Sequence, residues 1–456
     1  MIARILLFGV PFLLVNLALD LYVWRHFRLG FPHWSPARRR RVSFVYGVLQ
    51  ASWYVTLPLL GAWGYESLPA WFRNTFQTYV LMAVASKVWA LPWWFLQDLK
   101  GLCNKGFLKR LRPVPSHSVH SGNQDDGPDN TMDLSTPEGG EAEPLTRAAF
   151  LSRLGFLLGS VPLLGLGGSA LSGTAYRYQV HRIKISLPGL APSWLGKRIV
   201  QISDLHTGSW DSREGIERGM DLLKSLNPDV IFFTGDLVNT RTLEIMPWMD
   251  LLAQIQAPLG VYSILGNHDY GDYTQWGSEA DKEANFEAMI VAHKALGWKL
   301  LRNEWLPVSN EAGDILQVVG SENWGKRSGF GKQYGNIVQA TQGLRTDSPT
   351  VLLTHDPSHF DLEVLGKFPF IGLTLCGHTH GMQMGIDIPG LPRWSPASWV
   401  YPHWAGHYVF GAQQLYVNRG FGFVGFRGRI GIYPEITCFE FDNSLAYTPK
   451  AANETT

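Results

Sequence analysis

The chain has 456 residues and a formal net charge of +1, so no strong electrostatic field favours nucleic acid or another highly charged partner. Its three cysteines are too few and too irregularly spaced for a disulfide framework or a zinc ribbon. Many of the 18 tryptophans lie in the first hundred residues, and amphipathic rings of this kind favour membrane interfaces.

Four apolar segments are long enough to cross a membrane, because a helix needs roughly 20 mostly apolar residues to span the bilayer core. They cover residues 2–24, 42–63, 76–96 and 150–171. Lys87 lies in the middle of the third segment, and we expect it to face the interior of a helix bundle or to snorkel toward the membrane surface, with a functional role as the alternative. The glycine-rich fourth segment is expected to pack closely against its neighbours.

The basic residues predict the orientation, because loops rich in lysine and arginine stay in the cytoplasm. Six arginines between residues 25 and 41 separate the first two segments, and a second basic cluster follows the third at residues 100–112. Both loops are therefore predicted to be cytoplasmic. Four crossings then place the N-terminus and the C-terminal domain on the extracytoplasmic side of the plasma membrane.

The composition divides the chain into five parts. Residues 1–98 are predicted to hold three transmembrane helices with a basic cytoplasmic loop, and residues 147–175 the fourth helix. Residues 99–146 contain a long stretch rich in Ser, Pro, Gly and acidic residues, which predicts a disordered cytoplasmic linker. Residues 176–445 form a soluble domain, and residues 446–456 a flexible tail.

The soluble domain alternates short apolar strands with helices, which predicts an α/β fold. Early strands are expected at 198–203, 229–234 and 260–265, with helices at 211–226, 243–252 and 281–296. The later half holds more strands than helices, at 315–319, 351–354, 371–376, 414–417 and 436–441. This excess favours two packed sheets over one fully parallel sheet.

Five short polar motifs follow these strands, and ligands collect beyond the carboxyl ends of strands in such sheets. The motifs contain Asp204 and His206; Asp236 and Asn239; Asn267, His268 and Asp269; His355; and His378 and His380. Each motif alone is more often a turn or a chance arrangement than a site, but the ordered set indicates a metal centre. Oxygen and imidazole ligands suit Mn, Fe, Co, Ni or Zn. One carboxylate can bridge two ions roughly 3.5–4 Å apart, as in two-metal hydrolases.

The motif set Asp204-x-His206, Gly235-Asp236, Gly266-Asn267-His268-Asp269, His355 and Gly377-His378-x-His380 resembles the calcineurin-like metallophosphoesterase family, in particular its membrane-attached branch. The resemblance implies a four-layer α/β/β/α sandwich, here preceded by a four-helix transmembrane region. It also implies two divalent or trivalent metal ions. One ion would be held by Asp204, His206, Asp236 and His380, and the other by Asp236, Asn267, His355 and His378. His268 would face the substrate and protonate the leaving group.

Several roles stay open at this level. Asn239, Asp269 and Arg429 are candidates for contacts to a metal ligand or to the substrate, with structural roles as the alternative. The segment 394–404 holds four aromatic rings among prolines, and it is either a loop anchor or a wall that meets lipid or an apolar substrate tail.

The predicted function is metal-dependent hydrolysis of a phosphodiester, a pyrophosphate or a phosphomonoester outside the cytoplasmic membrane. Hydrolysis of phospholipid or nucleotide-linked lipid precursors is the alternative within enzymes. The alternatives from other classes are a non-catalytic membrane scaffold or sensor on the same fold, and a transporter. The expected partners are a phosphoester substrate, either free or lipid-linked, and membrane lipids, and no nucleic-acid binding is expected. The native metals and the oligomeric state stay open.

Overall fold

A computed structural model describes residues 10–63, 68–110, 146–326, 332–388 and 390–442. The chain divides into two compact units. The helical unit contains residues 1–63 and 82–164, and the sheet unit contains residues 64–81 and 165–456. The predicted tail at 446–456 and residues 111–145 of the predicted linker lie outside the described residues.

Four long helices occupy the predicted apolar segments: α1 (Val10–Gly30), α2 (Pro36–Trp63), α3 (Ala70–Arg110) and α4 (Arg147–Leu171). Two of them are long and apolar enough to cross a membrane over the described residues, namely α3 from Ala70 to Lys100 and α4. The first turns of α2 contain the arginines at 38–41, which shortens its apolar part. Residues 1–9, the start of the first predicted span, lie outside the described residues. The number of four membrane-spanning helices therefore stays a prediction.

Helix α3 differs from the prediction at its end. It continues to Arg110, past residue 98, after which the sequence predicted the disordered linker to begin. Leucine, lysine and arginine in its last turns are good helix formers, and the first proline of the following segment is Pro113. The basic segment at 100–110 is thus helical.

Lys87 faces the interior of the helical unit, as predicted, with 3% of its surface exposed. Its Nζ lies 2.6 Å from a carboxylate oxygen of Asp20, and the hydroxyls of Tyr46 and Tyr54 donate to the same carboxylate. Close packing of α4 is also confirmed at Gly159. A Cβ atom there would lie 2.9 Å from the backbone carbonyl oxygen of Ser86.

The sheet unit contains two six-stranded mixed sheets. The first has the order β1-β12-β2-β3-β4-β5 and the second the order β10-β11-β9-β8-β7-β6. Within them β2, β3 and β4 are parallel neighbours, as are β7, β8 and β9. The strands are β1 Gln179–Ile185, β2 Arg198–Ile202, β3 Val230–Phe233, β4 Val261–Ser263, β5 Lys299–Leu300, β6 Glu304–Ser309, β7 Ile315–Gly320, β8 Thr350–Leu353, β9 Leu373–Cys376, β10 Gly406–Phe410, β11 Gln413–Val417 and β12 Glu435–Phe441.

Three apolar clusters hold the sheets and helices together. Strand residues from both sheets, among them Phe232 and Val318, form one buried cluster. A second cluster packs the first sheet against α5 (Arg213–Ser225) and α7 (Glu279–Ala295), and a third packs the second sheet against α8 (Ile337–Ala340) and the residues after α9 (Pro357–His359). The predicted helix at 243–252 is instead a 3-10 helix, Thr242–Trp248, followed by the short α6 (Met249–Leu252), because Pro247 interrupts the regular hydrogen bonds.

The sheet unit also includes one end of each apolar helix, residues 70–81 of α3 and 165–171 of α4. The Asn74 side chain donates to the carbonyl oxygen of Ser209 at 2.8 Å. The Ser169 hydroxyl donates to the carbonyl oxygen of Arg429 at 2.9 Å, and the Arg427 guanidinium donates to that of Ala170 at 2.9 Å. These bonds fix both helix ends to the same region of the sheet unit.

Candidate metal centre

The five polar motifs converge at the carboxyl ends of parallel strands, as predicted. Strands β2, β3 and β4 of the first sheet and β8 and β9 of the second end at this site. The turns after these strands bring together all seven predicted metal ligands: Asp204, His206, Asp236, Asn267, His355, His378 and His380. Except for His378, which is half-buried, these residues are almost completely buried.

The carboxylate of Asp236 belongs to one of two clusters of ligand atoms and also reaches the other. One cluster contains Asp204, His206 and His380, and the other contains Asp236, His355 and His378, with the ligand atoms of each cluster within 4.8 Å of one another. The same Asp236 Oδ2 atom is 3.0 Å from His355 Nε2 and 3.6 Å from His206 Nε2. One carboxylate thus reaches both clusters.

Hydrogen bonds fix the orientation of the histidine rings. His355 Nδ1 lies 2.8 Å from the carbonyl oxygen of Thr234, and His206 Nδ1 lies 3.0 Å from the side-chain oxygen of Asn239. Because both partners are acceptors, each Nδ1 carries a proton and each Nε2 faces the carboxylates, where the neutral ring offers a lone pair to a metal. A hydrogen bond of this kind is the usual support for a metal-bound histidine.

The donor set fits a cation. Among the described residues, the buried Nε2 atoms of His355 and His380 have no hydrogen-bond partner. His380 Nε2 is 3.2 Å from Asp204 Oδ1. His378 Nδ1 lies 2.8 Å from the side-chain oxygen of Asn267, which gives a mixed nitrogen and oxygen pair on the second cluster. Nitrogen and oxygen donors facing one another across buried carboxylates suit divalent transition metals.

Burial and neighbouring charges keep the carboxylates ionised. Burial raises the pKa of Asp204 and Asp236, but the adjacent imidazoles of His380 and His355 outweigh it and hold both pKa values below the usual range. Burial lowers the pKa of His206 to about 3. Burial also disfavours a charged His355, but Asp236 beside it raises that pKa to about 10. A cation at Asp236 therefore competes with the proton of His355, and its binding releases that proton.

The backbone at the site is held in unusual conformations. Five non-glycine residues have positive φ angles between 48° and 72°: Asp204, His206, Asp236, His378 and His380. Such angles disfavour side-chain-bearing residues and concentrate at functional sites. Gly266 and Gly377 allow the close approach, because a Cβ atom at either would collide with the carboxylates of Asp236 and Asp204, respectively.

His268 lies beside both clusters. Its Nδ1 is 2.6 Å from the carbonyl oxygen of Asn239, so the proton lies on Nδ1 in the neutral ring. The ring stacks at 4.4 Å on Tyr273 and faces the cavity described below. One ring nitrogen also lies within 4.8 Å of ligand atoms of His206 and Asp236. This position suits the predicted contact with substrate, and its role as an acid stays a prediction.

The three open candidates have supporting positions. Asn239 orients two rings, with its side chain on His206 and its backbone carbonyl on His268. Asp269 is buried and accepts backbone N–H groups of Gly266 and of residues 236–238, at 2.8–3.2 Å. Arg429 is 1% exposed and donates to backbone carbonyls behind His380, so it lies away from the cavity.

Two supporting residues were not identified from the sequence. The hydroxyl of Tyr401 lies 2.8 Å from His378 Nε2 and donates to Asp356 at 3.3 Å. Tyr401 therefore holds the far side of the His378 ring while Nδ1 faces the metal ligands. Glu244 accepts the backbone N–H groups of residues 239–241 and fixes the turn that carries Asn239. Tyr401 is 23 residues from His378, and no spacing pattern links the two. Glu244 lies at the third position of the 3-10 helix after Arg241, a capping-box spacing that could have marked it.

A cavity of about 460 Å³ opens over the site. Its polar lining residues include His206, Asp236, Asn267, His268, His378 and His380. Its apolar lining residues, which we call the apolar wall, include Met382, Met384, Val424, Phe426 and Leu81, the last being a residue of α3. The cavity therefore combines the predicted metal ligands with an apolar wall.

Comparison with known proteins agrees with this geometry. The family described as calcineurin-like phosphoesterase matches residues 197–382, and the family described as probable calcineurin-like phosphoesterase, transmembrane domain, matches residues 3–174. The zebrafish (Danio rerio) protein named transmembrane protein with metallophosphoesterase domain is 31% identical over 259 residues, 56% of this chain. The chain spans only 55% of the length of that relative.

Two bacterial relatives are covered more fully. The metallophosphoesterase YkuE of Bacillus subtilis is 28% identical over 305 residues, which are 63% of this chain and 97% of YkuE. The UDP-2,3-diacylglucosamine pyrophosphatase LpxG of Chlamydia muridarum is 25% identical over 271 residues, 50% of this chain and 78% of LpxG. The chain thus carries a calcineurin-like phosphoesterase domain at residues 197–382, preceded by a transmembrane phosphoesterase domain at residues 3–174.

Proposed function

We propose that this protein is a membrane-anchored, two-metal phosphoester hydrolase. The observation that carries the proposal is the position of Asp236, whose single carboxylate lies within 3.0 Å of His355 Nε2 and 3.6 Å of His206 Nε2 and so reaches two ligand clusters. A scaffold that only retained the fold would not need two buried carboxylates that face imidazole nitrogens and, among the described residues, pair with no lysine or arginine, since burying charge costs free energy unless it is compensated.

The two clusters define the proposed ligand sets. Asp204, His206, Asp236 and His380 hold one ion, and Asp236, Asn267, His355 and His378 hold the other. The donor types admit Mn, Fe, Zn, Co or Ni. The four-layer sandwich behind four transmembrane helices belongs to the same proposal, supported by the mixed sheets with helices on their outer faces.

The reaction is attack of water on phosphorus. When bound, two such ions supply polarisation of the phosphoryl oxygens and a water of lowered pKa. The bond from water oxygen to phosphorus forms as the bond from phosphorus to the leaving oxygen breaks. His268 in its imidazolium form, whose Nδ1–H is held by the carbonyl oxygen of Asn239, donates its Nε2 proton to the leaving oxygen from the cavity side. Asn239 orients this ring through its backbone carbonyl, at 2.6 Å from Nδ1.

The basic segments support a cytoplasmic position for the loop between the first two predicted spans and for the segment between the third and the fourth, and an extracytoplasmic position for the sheet unit. A reporter enzyme fused after Thr456 is then active only outside the cytoplasm. A cytoplasmic signal from that fusion would overturn the orientation while leaving the chemistry untouched.

The substrate is proposed to be a phosphodiester or a pyrophosphate, with a phosphomonoester as the third possibility. A lipid-linked pyrophosphate is the second candidate function. It is favoured by the apolar wall of the cavity and by similarity to LpxG, a protein named for hydrolysis of such a compound.

The proposal is tested with the full-length protein in detergent micelles. Metal removal by a chelator should abolish hydrolysis of bis(p-nitrophenyl) phosphate, and Mn²⁺ or Zn²⁺ should restore it. p-Nitrophenyl phosphate and a diphosphate ester distinguish the three substrate classes. Two bound ions without turnover of any of these compounds would favour a scaffold or sensor.

A further inference from the structure

One loop of the sheet unit exposes an unusual number of large apolar side chains. We call residues 382–400 the apolar loop. Its exposed side chains are Met382, Ile386, Ile388, Leu391, Trp394 and Trp399, with exposed fractions from 41% to 75%. Elsewhere in the described part of the sheet unit, exposed large apolar residues are scattered singly along the sequence. A concentrated apolar surface of this kind marks an interaction site.

The apolar loop has a defined shape. Ile386 and Trp394 form an antiparallel bridge at the base of the loop, with backbone hydrogen bonds in both directions. Across this base, Arg393 pairs with Asp387 and donates to the carbonyl oxygen of Ala405. The base of the loop is therefore fixed by paired polar groups while the apolar side chains beside it are exposed.

A chain of hydrogen bonds joins the base of this loop to the membrane-spanning helices. Gly385 N donates to the carbonyl oxygen of Ile430, and Gln383 donates to that of Phe426. Segment 426–430 is in turn bonded to the helix ends. The backbone N–H of Arg427 donates to Thr78 of α3, and the Arg427 guanidinium donates to Ala170 of α4.

The sequence of α3 and α4 fixes where the bilayer begins. In α3 the mostly polar residues 73–78 precede an apolar run over residues 79–85, ahead of Ser86 and Lys87, and in α4 the apolar run ends at Leu171. Both boundaries lie within the parts of the helices that belong to the sheet unit. The base of the apolar loop is thus attached at the level where the two spans leave the bilayer.

We propose that the apolar loop inserts into the bilayer interface beside the ends of α3 and α4 and acts as a membrane-docking surface of the sheet unit. Tryptophan and aliphatic side chains next to an arginine are the residues that lipid interfaces favour. Met382 and Met384 line the cavity over the metal ligands, so the inserted loop connects the hydrocarbon with the apolar wall of that cavity. The inference rests on the membrane spans and holds whether or not the protein is an enzyme.

The test measures the depth of the loop in lipid. Single cysteines are introduced at Ile388 and Leu391 in a Cys103→Ser background of the full-length chain, since Cys376 and Cys438 are buried. The matched controls are Val338→Cys and Ile315→Cys, at apolar residues with 69% and 47% exposure outside the loop. Each variant is labelled with bimane and reconstituted into phosphatidylcholine vesicles with or without dibrominated acyl chains.

Bromine quenches only fluorophores that reach the hydrocarbon. We expect a loss of bimane fluorescence in brominated vesicles at 388 and 391, and none at 338 and 315. Two loop positions are used so that one badly tolerated substitution does not decide the result. Equal emission in the two lipids at both loop positions would overturn the proposal. The proposal would also be overturned if bimane emission at the loop changed only with the number of protein molecules per vesicle. That result would assign the apolar loop to contact with a second copy of the chain.

Discussion

The helical unit and the sheet unit both bury charged side chains, but they treat the charge differently. In the helical unit, Asp20 is matched by Lys87 at 2.6 Å and by two tyrosine hydroxyls. In the sheet unit, the carboxylates of Asp204 and Asp236 face imidazole nitrogens and have no lysine or arginine ion-pair partner among the described residues. The comparison teaches that carboxylates matched by a lysine form a structural contact between helices, whereas carboxylates matched only by imidazoles can exchange the imidazole proton for a metal cation.

The largest effect is expected from Asp236→Asn. The amide keeps the shape but removes the charge that both clusters share, so the metals and the activity should be lost together. Metal ions contribute several kcal/mol to such transition states, so turnover should fall by roughly a thousandfold or more. Metal analysis and diester hydrolysis provide the measurement, with Asp221→Asn, a 72% exposed carboxylate on α5, as the control. Two ions retained per chain would refute the shared role.

His268→Ala should leave both metals and the fold in place, because the ring is not among the proposed ligands. General acid catalysis contributes roughly 10²–10⁴-fold, and the loss should fall in that range for an alkyl ester, whose leaving oxygen needs a proton. A nitrophenyl ester should lose much less, since its leaving group departs as a stable anion. Equal losses on the two esters would show that His268 only binds phosphate, and lost metal would make it a ligand.

Tyr401→Phe removes the hydroxyl that holds His378 Nε2 at 2.8 Å. Partners of metal-bound histidines contribute roughly 10–100-fold to metal affinity or activity, so metal affinity should weaken by that factor. A chelator titration followed by metal analysis measures the change. Tyr433→Phe, at a half-buried ring outside the cavity, should change nothing. Unaltered affinity in Tyr401→Phe would leave the tyrosine with a packing role.

The smallest effect on turnover is expected from Lys87→Met, which tests the other side of the comparison. Breaking a buried ion pair costs roughly 3–5 kcal/mol, whereas replacing both partners by apolar residues is often neutral. Thermal unfolding in detergent should therefore show a loss for Lys87→Met that Asp20→Leu with Lys87→Met largely restores. Per-metal turnover of the folded single variant should match the wild type. A large drop in turnover at full metal content would give the pair a role beyond structure.

The sequence predicted the site best where a polar motif directly follows an apolar strand. The seven ligands could be placed because each follows an apolar run, and parallel strands bring their carboxyl ends together. Strand β1 was missed because it lies at a sheet edge and mixes exposed polar with apolar residues in Gln179–Ile185, and the two-residue β5 is too short to give a pattern. The strands β6 and β10 also alternate irregularly in burial, and β6 contains Pro307.

The contacts made through a single hydroxyl or carboxylate could not be predicted. Tyr401 contacts His378, which lies 23 residues earlier in the chain, and no sequence pattern links the two. Glu244 lies only five residues after Asn239, but a glutamate near the start of a helix is common and does not indicate a metal site. The attachment of residues 70–81 to the sheet unit was also not predicted. Polar residues at the start of an apolar helix are explained by exposure to water as well as by contact with another part of the protein. Asn74 and Thr78 acquire partners only when α3, the turn after β2 and segment 426–430 meet.

The most direct test of the central claim is electron paramagnetic resonance of the protein reconstituted with Mn²⁺, read together with the metal content. If Asp236 bridges two ions, the wild-type protein should hold two Mn²⁺ per chain and show the spectrum of an exchange-coupled pair. A carboxylate bridge brings such ions to roughly 3.5–4 Å. A single Mn²⁺ per chain, or two ions with an uncoupled spectrum in a fully active protein, would contradict the account.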